Sequence, residues 1–385
     1  MTAALPESAS VVVIGGGVMG VSVAFHLAEA GVRDAVLLER GALGSGSTVK
    51  AAGGVRAQFS DELNVRLAAR SLELLGEFGE RPGQEIDLRR VGYLWLLSDA
   101  ASVASFERAV SLQNRHGVPS RMLDVDEALS LTRYVRPDGL LAAAFSPDDG
   151  HCTPESVVLG YASAARRLGT RLVTECEVTG VRVKGGEVEA VVTDRGEIRT
   201  DTVVCAAGAR SATVGAMVGV DLPVVPLRRQ ILVTGPVPDV PHDLPMTIDF
   251  STSLYFHREG RGLLLGMSDP DEQPGFRMDR SDAWLPRLAE AVESRAPGLL
   301  EAGIASGWAG LYEVTPDANA LVGEAADVSR FLYVTGFSGH GFLLGPVMGE
   351  VVRDLVLREE SQFDVTPFDV ERFRGGTVRP ETALV

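Results

Sequence analysis

Lysine is almost missing: the 385-residue chain carries two, Lys50 and Lys184, and takes the rest of its positive charge from arginine. No basic cluster forms, and the formal net charge is −16. A nucleic-acid partner needs a basic face to meet phosphates, so this balance argues against one, and equally against an anionic membrane surface. The acidity is spread along the chain and serves solubility. An anionic ligand would therefore depend on a few locally placed cations. No apolar run approaches the roughly 20 residues that span a bilayer. The opening MTAALPESAS lacks both regions of a signal peptide. A cytoplasmic protein with a short disordered lead-in is expected.

Cysteine is scarce as well. Cys152, Cys176 and Cys205 are odd in number, without CxxC spacing, and sit in apolar settings typical of buried free thiols, which suits a reducing compartment. The histidines (His26, His116, His151, His242, His257 and His340) form no metal-type pair or HExxH motif, so no metal site is expected.

What is abundant is glycine. In SVVVIGGGVMGVSVAFHLAEAGVRDAVLLER, Val11 to Ile14 reads as a buried strand, Val18 to Ala30 as a helix that Gly31 ends, and Ala35 to Leu38 as a second strand. Gly15, Gly17 and Gly20 stand between strand and helix in GxGxxG spacing. The first permits a tight turn, the second lets a pyrophosphate approach the backbone, and the third lets the helix pack on the strand. The helix N-terminus offers N–H groups and partial positive charge to phosphates. Glu39, at the end of the second strand, is placed to accept hydrogen bonds from ribose hydroxyls. Dinucleotide binding follows from the ordered set, with NAD and FAD both open at this point.

Further along, helices are expected over 61–78, with Asp61 as N-cap, near 100–116, over 124–131 and over 153–169, with Thr153 at the cap. A strand is expected in VGYLWLL (91–97). A meander of short strands turns at KGGE and DRGE and leads to the strand Thr202–Ala206, where Gly208 allows close approach to a nucleotide. From Leu222 to about Tyr312 the chain is mostly β. Buried strands return at Ala320–Val322 and 331–336, and GFSGHGF opens a last helix before a short low-complexity tail, RGGTVRPETALV.

VVVIGGGVMG with Glu39, the GSGST-to-Arg56 segment, VVCAAGA, GLYEVTPD and GFSGHGF, in this order, resemble the FAD-dependent amino-acid and amine oxidoreductases of the D-amino-acid oxidase superfamily. The nearest resemblance is to the group around sarcosine, dimethylglycine and proline oxidases and dehydrogenases. It implies an α/β fold: a Rossmann-like FAD-binding domain with a parallel sheet (1–84, 148–221 and 317–385), plus a substrate domain with a large antiparallel sheet (85–147 and 222–316). It also implies that FAD meets Gly15, Gly17, Val18, Met19 and Gly20 at the pyrophosphate, Glu39 and Arg40 at the ribose, and Val178 at the adenine. Ala207 and Gly208 would lie along the ribityl chain. Ser45, Ser47, Thr48 and Lys50 would pass beside the cofactor. Gly339, His340, Gly341, Phe342 and Leu343 would bring a helix N-terminus to the flavin ring.

Departures from the family pattern shape the reading. Gly310 stands where monomeric sarcosine oxidases carry the flavin-linked cysteine, and Lys50 where dimethylglycine dehydrogenases have the flavin-linked histidine. The resemblance therefore implies FAD held without a covalent bond. Leu343 replaces a carboxylate-holding lysine, and Tyr312 an arginine used by glycine oxidases. Oxidation of a C–N bond to an imine by hydride transfer to flavin N5 is the implied reaction, with hydrolysis after it. Arg56 is the expected carboxylate anchor, because a guanidinium forms a bidentate pair with carboxylate. Lys50, Tyr255, His257, Tyr312 and His340 are the other expected catalytic residues, with Arg228 a further candidate anchor. Oxygen or another redox carrier would take the electrons, and a homo- or hetero-oligomer fits the group. Two alternatives stand: oxidation of a 2-hydroxy acid, and a non-catalytic FAD-binding subunit of a larger dehydrogenase.

Overall fold

A computed structural model describes residues 5–375 and 378–383. Two sheets organise the chain. The first has six strands in the spatial order Leu321–Glu324, Phe331–Thr335, Val203–Cys205, Val11–Ile14, Ala35–Leu38 and Arg171–Val173. All pair in parallel except the edge strand Leu321–Glu324, which runs antiparallel. Both faces of a parallel sheet need cover, which explains the unbroken Val/Ile/Leu runs. Val11, Val13 and Leu37 face a layer that includes the first helix (Val18–Glu29), Pro154–Arg167 and the last helix (Gly341–Leu357). Val12, Ile14 and Leu38 face the meander Val178–Lys184, Glu187–Thr193 and Gly196–Arg199.

The second sheet has eight strands in the order Ile304–Val314, Val225–Thr234, Gly262–Met267, Leu254–Glu259, Met246–Asp249, Tyr93–Leu97, Ala142–Ser146 and Arg121–Leu123. Its pairs are antiparallel except where Met246–Asp249 runs parallel to Tyr93–Leu97. Side chains alternate between the faces. Leu94, Leu96, Leu232, Phe256 and Leu265 pack with Trp284, Leu288 and Val292 of a helical segment. The opposite face carries Tyr93 and Trp95.

Two local expectations need correction. Residues 1–4 of the anticipated disordered lead-in lie outside the described residues, but from Leu5 onward the chain packs: Ser8 bridges Arg199, Ala9 donates to the Arg199 carbonyl, and Ser10 binds Asp34. Thr153 stands at the N-cap as expected, without a side-chain cap bond; Pro154 starts that helix, and its missing N–H removes one donor that needs a cap. Asp61, in contrast, accepts from the N–H groups of Leu63 and Asn64 as expected of an N-cap. The tail also departs from its composition, since Glu381 is buried and accepts from the Ser60 hydroxyl at 2.6 Å and from Asn64 Nδ2 at 3.1 Å.

Candidate active site

One cavity of about 630 Å³ runs from the glycine turn after the first strand to the face of the eight-stranded sheet. At its nucleotide end the turn is crowded. A Cβ on Gly15, whose φ is +112°, would stand 2.3 Å from the Ala206 carbonyl oxygen, and one on Gly20 would stand 1.9 Å from the Gly15 oxygen. Gly15, Gly17, Val18 and Met19 line the cavity, whereas Gly20 lies behind them in the helix–strand contact. The first helix begins with Gly17 as N-cap, which has no side chain to cap with; Thr48 takes the Val18 N–H, and the positive end of the helix dipole still borders the cavity.

Glu39 lines the same end, its carboxylate accepting from Gly16 N at 2.7 Å and Gly41 N at 2.8 Å. Arg40, Val178, Ala207 and Gly208 continue the wall. These glycines, the helix N-terminus bordering the cavity and the terminal acid fit an adenine dinucleotide.

The segment from Ser45 to Arg56 forms one long side. Ser45, Ser47, Thr48 and Lys50 all face the cavity. Thr48 Oγ1 accepts from Val18 N at 3.1 Å and ties this segment to the first helix. Lys50 donates to the Ser45 carbonyl at 2.9 Å, and its own carbonyl accepts from Trp308 Nε1 at 3.0 Å. Opposite, Gly339, His340, Gly341, Phe342 and Leu343 line the wall, with His340 at the N-cap of the last helix. Burial holds the His340 imidazole well below its ordinary pKa, and Arg56 adds to the effect, so the ring is neutral. With Nε2 facing the Ala318 carbonyl at 3.2 Å, Nδ1 is the lone-pair nitrogen.

At the sheet end, alternation brings four pairs to the cavity: Tyr93 with Trp95, Met246 with Ile248, Arg229 with Ile231, and Gly310 with Tyr312. Tyr255 joins them. The Tyr312 ring covers Gly339, where a Cβ would come within 2.5 Å of it. Burial raises the pKa of Tyr93, Tyr255 and Tyr312, so all three keep their protons.

Arg56 reaches the cavity from the strand Gly54–Val55 and its continuation. Its guanidinium stacks 4.2 Å from the Phe59 ring centroid and 5.2 Å from that of Trp95. It donates to the carbonyls of Gln58 and of Ala383, the latter at 2.8 Å. Two N–H groups are thus committed, and three of the five remain.

Two candidates fall elsewhere. His257 shares a sheet face with Tyr255 but lies beyond the cavity, covered by the Ala52 segment. Its Nε2 meets the Ala52 carbonyl at 3.1 Å and its ring stacks on His151 at 4.3 Å. It tethers the loop to the sheet. Arg228 points to the other face of its strand, where Nη2 pairs with Glu272 at 2.7 Å and Nη1 donates to the Asp279 carbonyl at 2.8 Å. Its fork is filled. The sequence reading missed Arg229, Tyr93 and Trp95; the strand register, once fixed at Pro226, would have separated Arg229 from Arg228.

Comparison with known proteins agrees with this geometry. The family described as FAD dependent oxidoreductase matches residues 10–355, and the chain belongs to it. It is 31% identical over 387 residues to mitochondrial dimethylglycine dehydrogenase of Rattus norvegicus, covering 95% of this chain and 45% of that protein. Glycine oxidase of Geobacillus kaustophilus is 30% identical, with 95% of this chain and 97% of that one covered. The crystal structure of L-proline dehydrogenase from P. horikoshii superposes with a TM-score of 0.91 at 32% identity, over 97% of this chain and all of that one. The chain thus spans about half the length of the dimethylglycine dehydrogenase that it matches. Among the described residues no helix is long and apolar enough to cross a membrane.

Proposed function

We propose that this protein oxidises the C–N bond of an amino acid or of a secondary or N-methyl amine to an imine, which then hydrolyses. The observation that carries the reading is the continuity of one cavity from the dinucleotide cradle at Gly15 and Glu39 to a wall holding Arg56, Tyr93, Tyr255 and Tyr312. FAD, when bound, supplies the two-electron acceptor. Gly15, Gly17 and the first helix N-terminus would hold its pyrophosphate, Glu39 its ribose, and the backbone near Val178 and Gly208 its adenine and ribityl parts. The N-terminus of the last helix, at His340 and Gly341, presents a dipole suited to negative charge at the ring. Residues 1–84, 148–221 and 317–385 would form the cofactor body, and the remainder the substrate body.

Arg56 would grip a carboxylate and so fix the direction of the reacting C–H bond. The three tyrosines and Trp95 exclude water around it, and burial favours the neutral amine that hydride loss requires. No side chain is assigned as general base. The absence of cysteine and histidine at positions 310 and 50 favours non-covalent FAD. The buried free thiols favour a reducing compartment such as the cytoplasm. Oxygen or another carrier would reoxidise the flavin.

The test is anaerobic mixing of the flavin-loaded protein with amino acids, N-methyl amines and 2-hydroxy acids, followed by flavin absorbance. Bleaching by amine substrates is expected. Bleaching by hydroxy acids alone would overturn the reading, and no bleaching by any of them would favour a non-catalytic subunit.

A further inference from the structure

Two neighbouring arginines on the strand Val225–Thr234 have opposite fates. Arg228 faces away from the cavity and is closed in by Glu272 and Asp279. Arg229 faces into the cavity, and among the described residues no carboxylate pairs with it. Its Nε is buried without a hydrogen-bond partner, Nη1 donates to the Arg228 carbonyl at 3.1 Å, and the guanidinium lies 5.1 Å from the Tyr312 ring centroid. A buried donor on a permanent cation is costly to leave unmet. The natural partner is an anion delivered to the cavity.

The cofactor does not account for that anion. Its phosphates belong at the opposite end, with Gly15, Gly17 and the first helix N-terminus, whereas Arg229 stands on the eight-stranded sheet opposite Gly310. Arg56 faces the same cavity, also without a carboxylate within ion-pair distance among the described residues. Tyr312 lies where both guanidiniums act on its hydroxyl, Arg229 more strongly than Arg56. In a chain of net charge −16, two guanidiniums without a carboxylate partner among the described residues line one aromatic-walled space.

We propose that Arg229 is a second carboxylate anchor, and that the substrate is an amine bearing two carboxylates, such as an acidic amino acid, its N-alkyl derivative or an iminodicarboxylate. Arg56 holds one carboxylate, Arg229 the other, and the amine lies between them. This deepens the proposed amine oxidation and rests on its placement of substrate at the sheet face.

Binding can be measured apart from turnover, using probes with sulfur in place of the amine. Calorimetry on the flavin-loaded protein would compare thiodiacetate, a dicarboxylate, with methylthioacetate, its monocarboxylate counterpart. Thiodiacetate is expected to bind about 10- to 100-fold more tightly, the worth of one charge-assisted pair. Arg229→Gln should erase that preference while leaving methylthioacetate within about twofold. Retained flavin certifies that the variant is folded, and Arg229→Lys serves if Gln does not fold, with partial loss expected. Equal affinity of the wild type for both probes, or no binding of either, overturns the proposal. Equal weakening of both probes by Arg229→Gln also overturns it, making Arg229 the anchor of a single carboxylate. Dicarboxylate-selective binding without amine-driven bleaching would sink the amine reaction and keep the anchor.

Discussion

Lys50 lies directly across Gly310: a Cβ added to Gly310 would stand 2.9 Å from the Cβ of Lys50. The bare backbone at 310 lets the Lys50 segment approach the sheet and take its bond from Trp308. Adding one methyl group would push against a β-carbon that cannot swing aside. Gly310→Ala should therefore destabilise the protein by about 1–3 kcal/mol, although alanine is otherwise the better strand residue. Thermal melting checks this. With neither residue able to form the family's flavin bond, acid precipitation of the wild type should leave a colourless pellet and all flavin in solution.

Glu39 holds the glycine turn through Gly16 N and Gly41 N before any ribose arrives. Glu39→Gln keeps the size and loses the charge, weakening three sets of bonds together. FAD affinity should fall about 10- to 100-fold, as read by flavin fluorescence titration. An unchanged affinity would remove Glu39 from the ribose site.

Asp149 is fully buried and accepts from Ala57 N, one residue from Arg56. Burial raises its pKa to about 7 from an ordinary value of 3.8, with the Ala57 N–H and Arg56 pulling back against it. A raised folded pKa means that stability is fully present below the unfolded value and lost as pH climbs through the folded one. The wild type should thus lose stability between about pH 4 and pH 7, by at most ~4 kcal/mol from this group. Asp149→Asn keeps an acceptor without the titration, so its melting temperature should rise relative to wild type on going from pH 5 to pH 8.

Glu381 collects the Ser60 hydroxyl, the Ser60 and Asp61 N–H groups and Asn64 Nδ2, while the nearby Ala383 carbonyl sits on Arg56. Glu381→Ala strands the half-buried donors of Ser60 and Asp61 and the buried Asn64 amide, and should cost about 3 kcal/mol. It also loosens one restraint on Arg56. A rise in substrate KM with kcat held nearly constant would locate that second effect in binding.

The nucleotide end was legible because its chemistry is local: Gly15, Gly17, Gly20 and Glu39 lie within one βαβ unit, and their spacing carries their roles. The sheet end was not. Arg228 and Arg229 are chemically identical, and only the register against Leu311 and Gly310 decides which meets the cavity. His257 shares the parity of Tyr255, yet the loop at Ala52 lies over it, and no pattern along a single strand reveals what covers it. The tail read as low complexity because its composition says nothing of Ser60 and Asn64, hundreds of residues earlier, which give Glu381 a reason to be buried.

The parallel sheet has a consequence for how the molecule comes to exist. Val11–Ile14 is made long before one neighbour, Val203–Cys205, and that strand must in turn wait for Phe331–Thr335. Such distant pairings close slowly. The six-stranded sheet around the glycine cradle is therefore not complete until Phe331–Thr335 has been made, and a nucleotide is held firmly only after that. The yellow colour of a preparation would then report the fraction of chains in which the six-stranded sheet has closed.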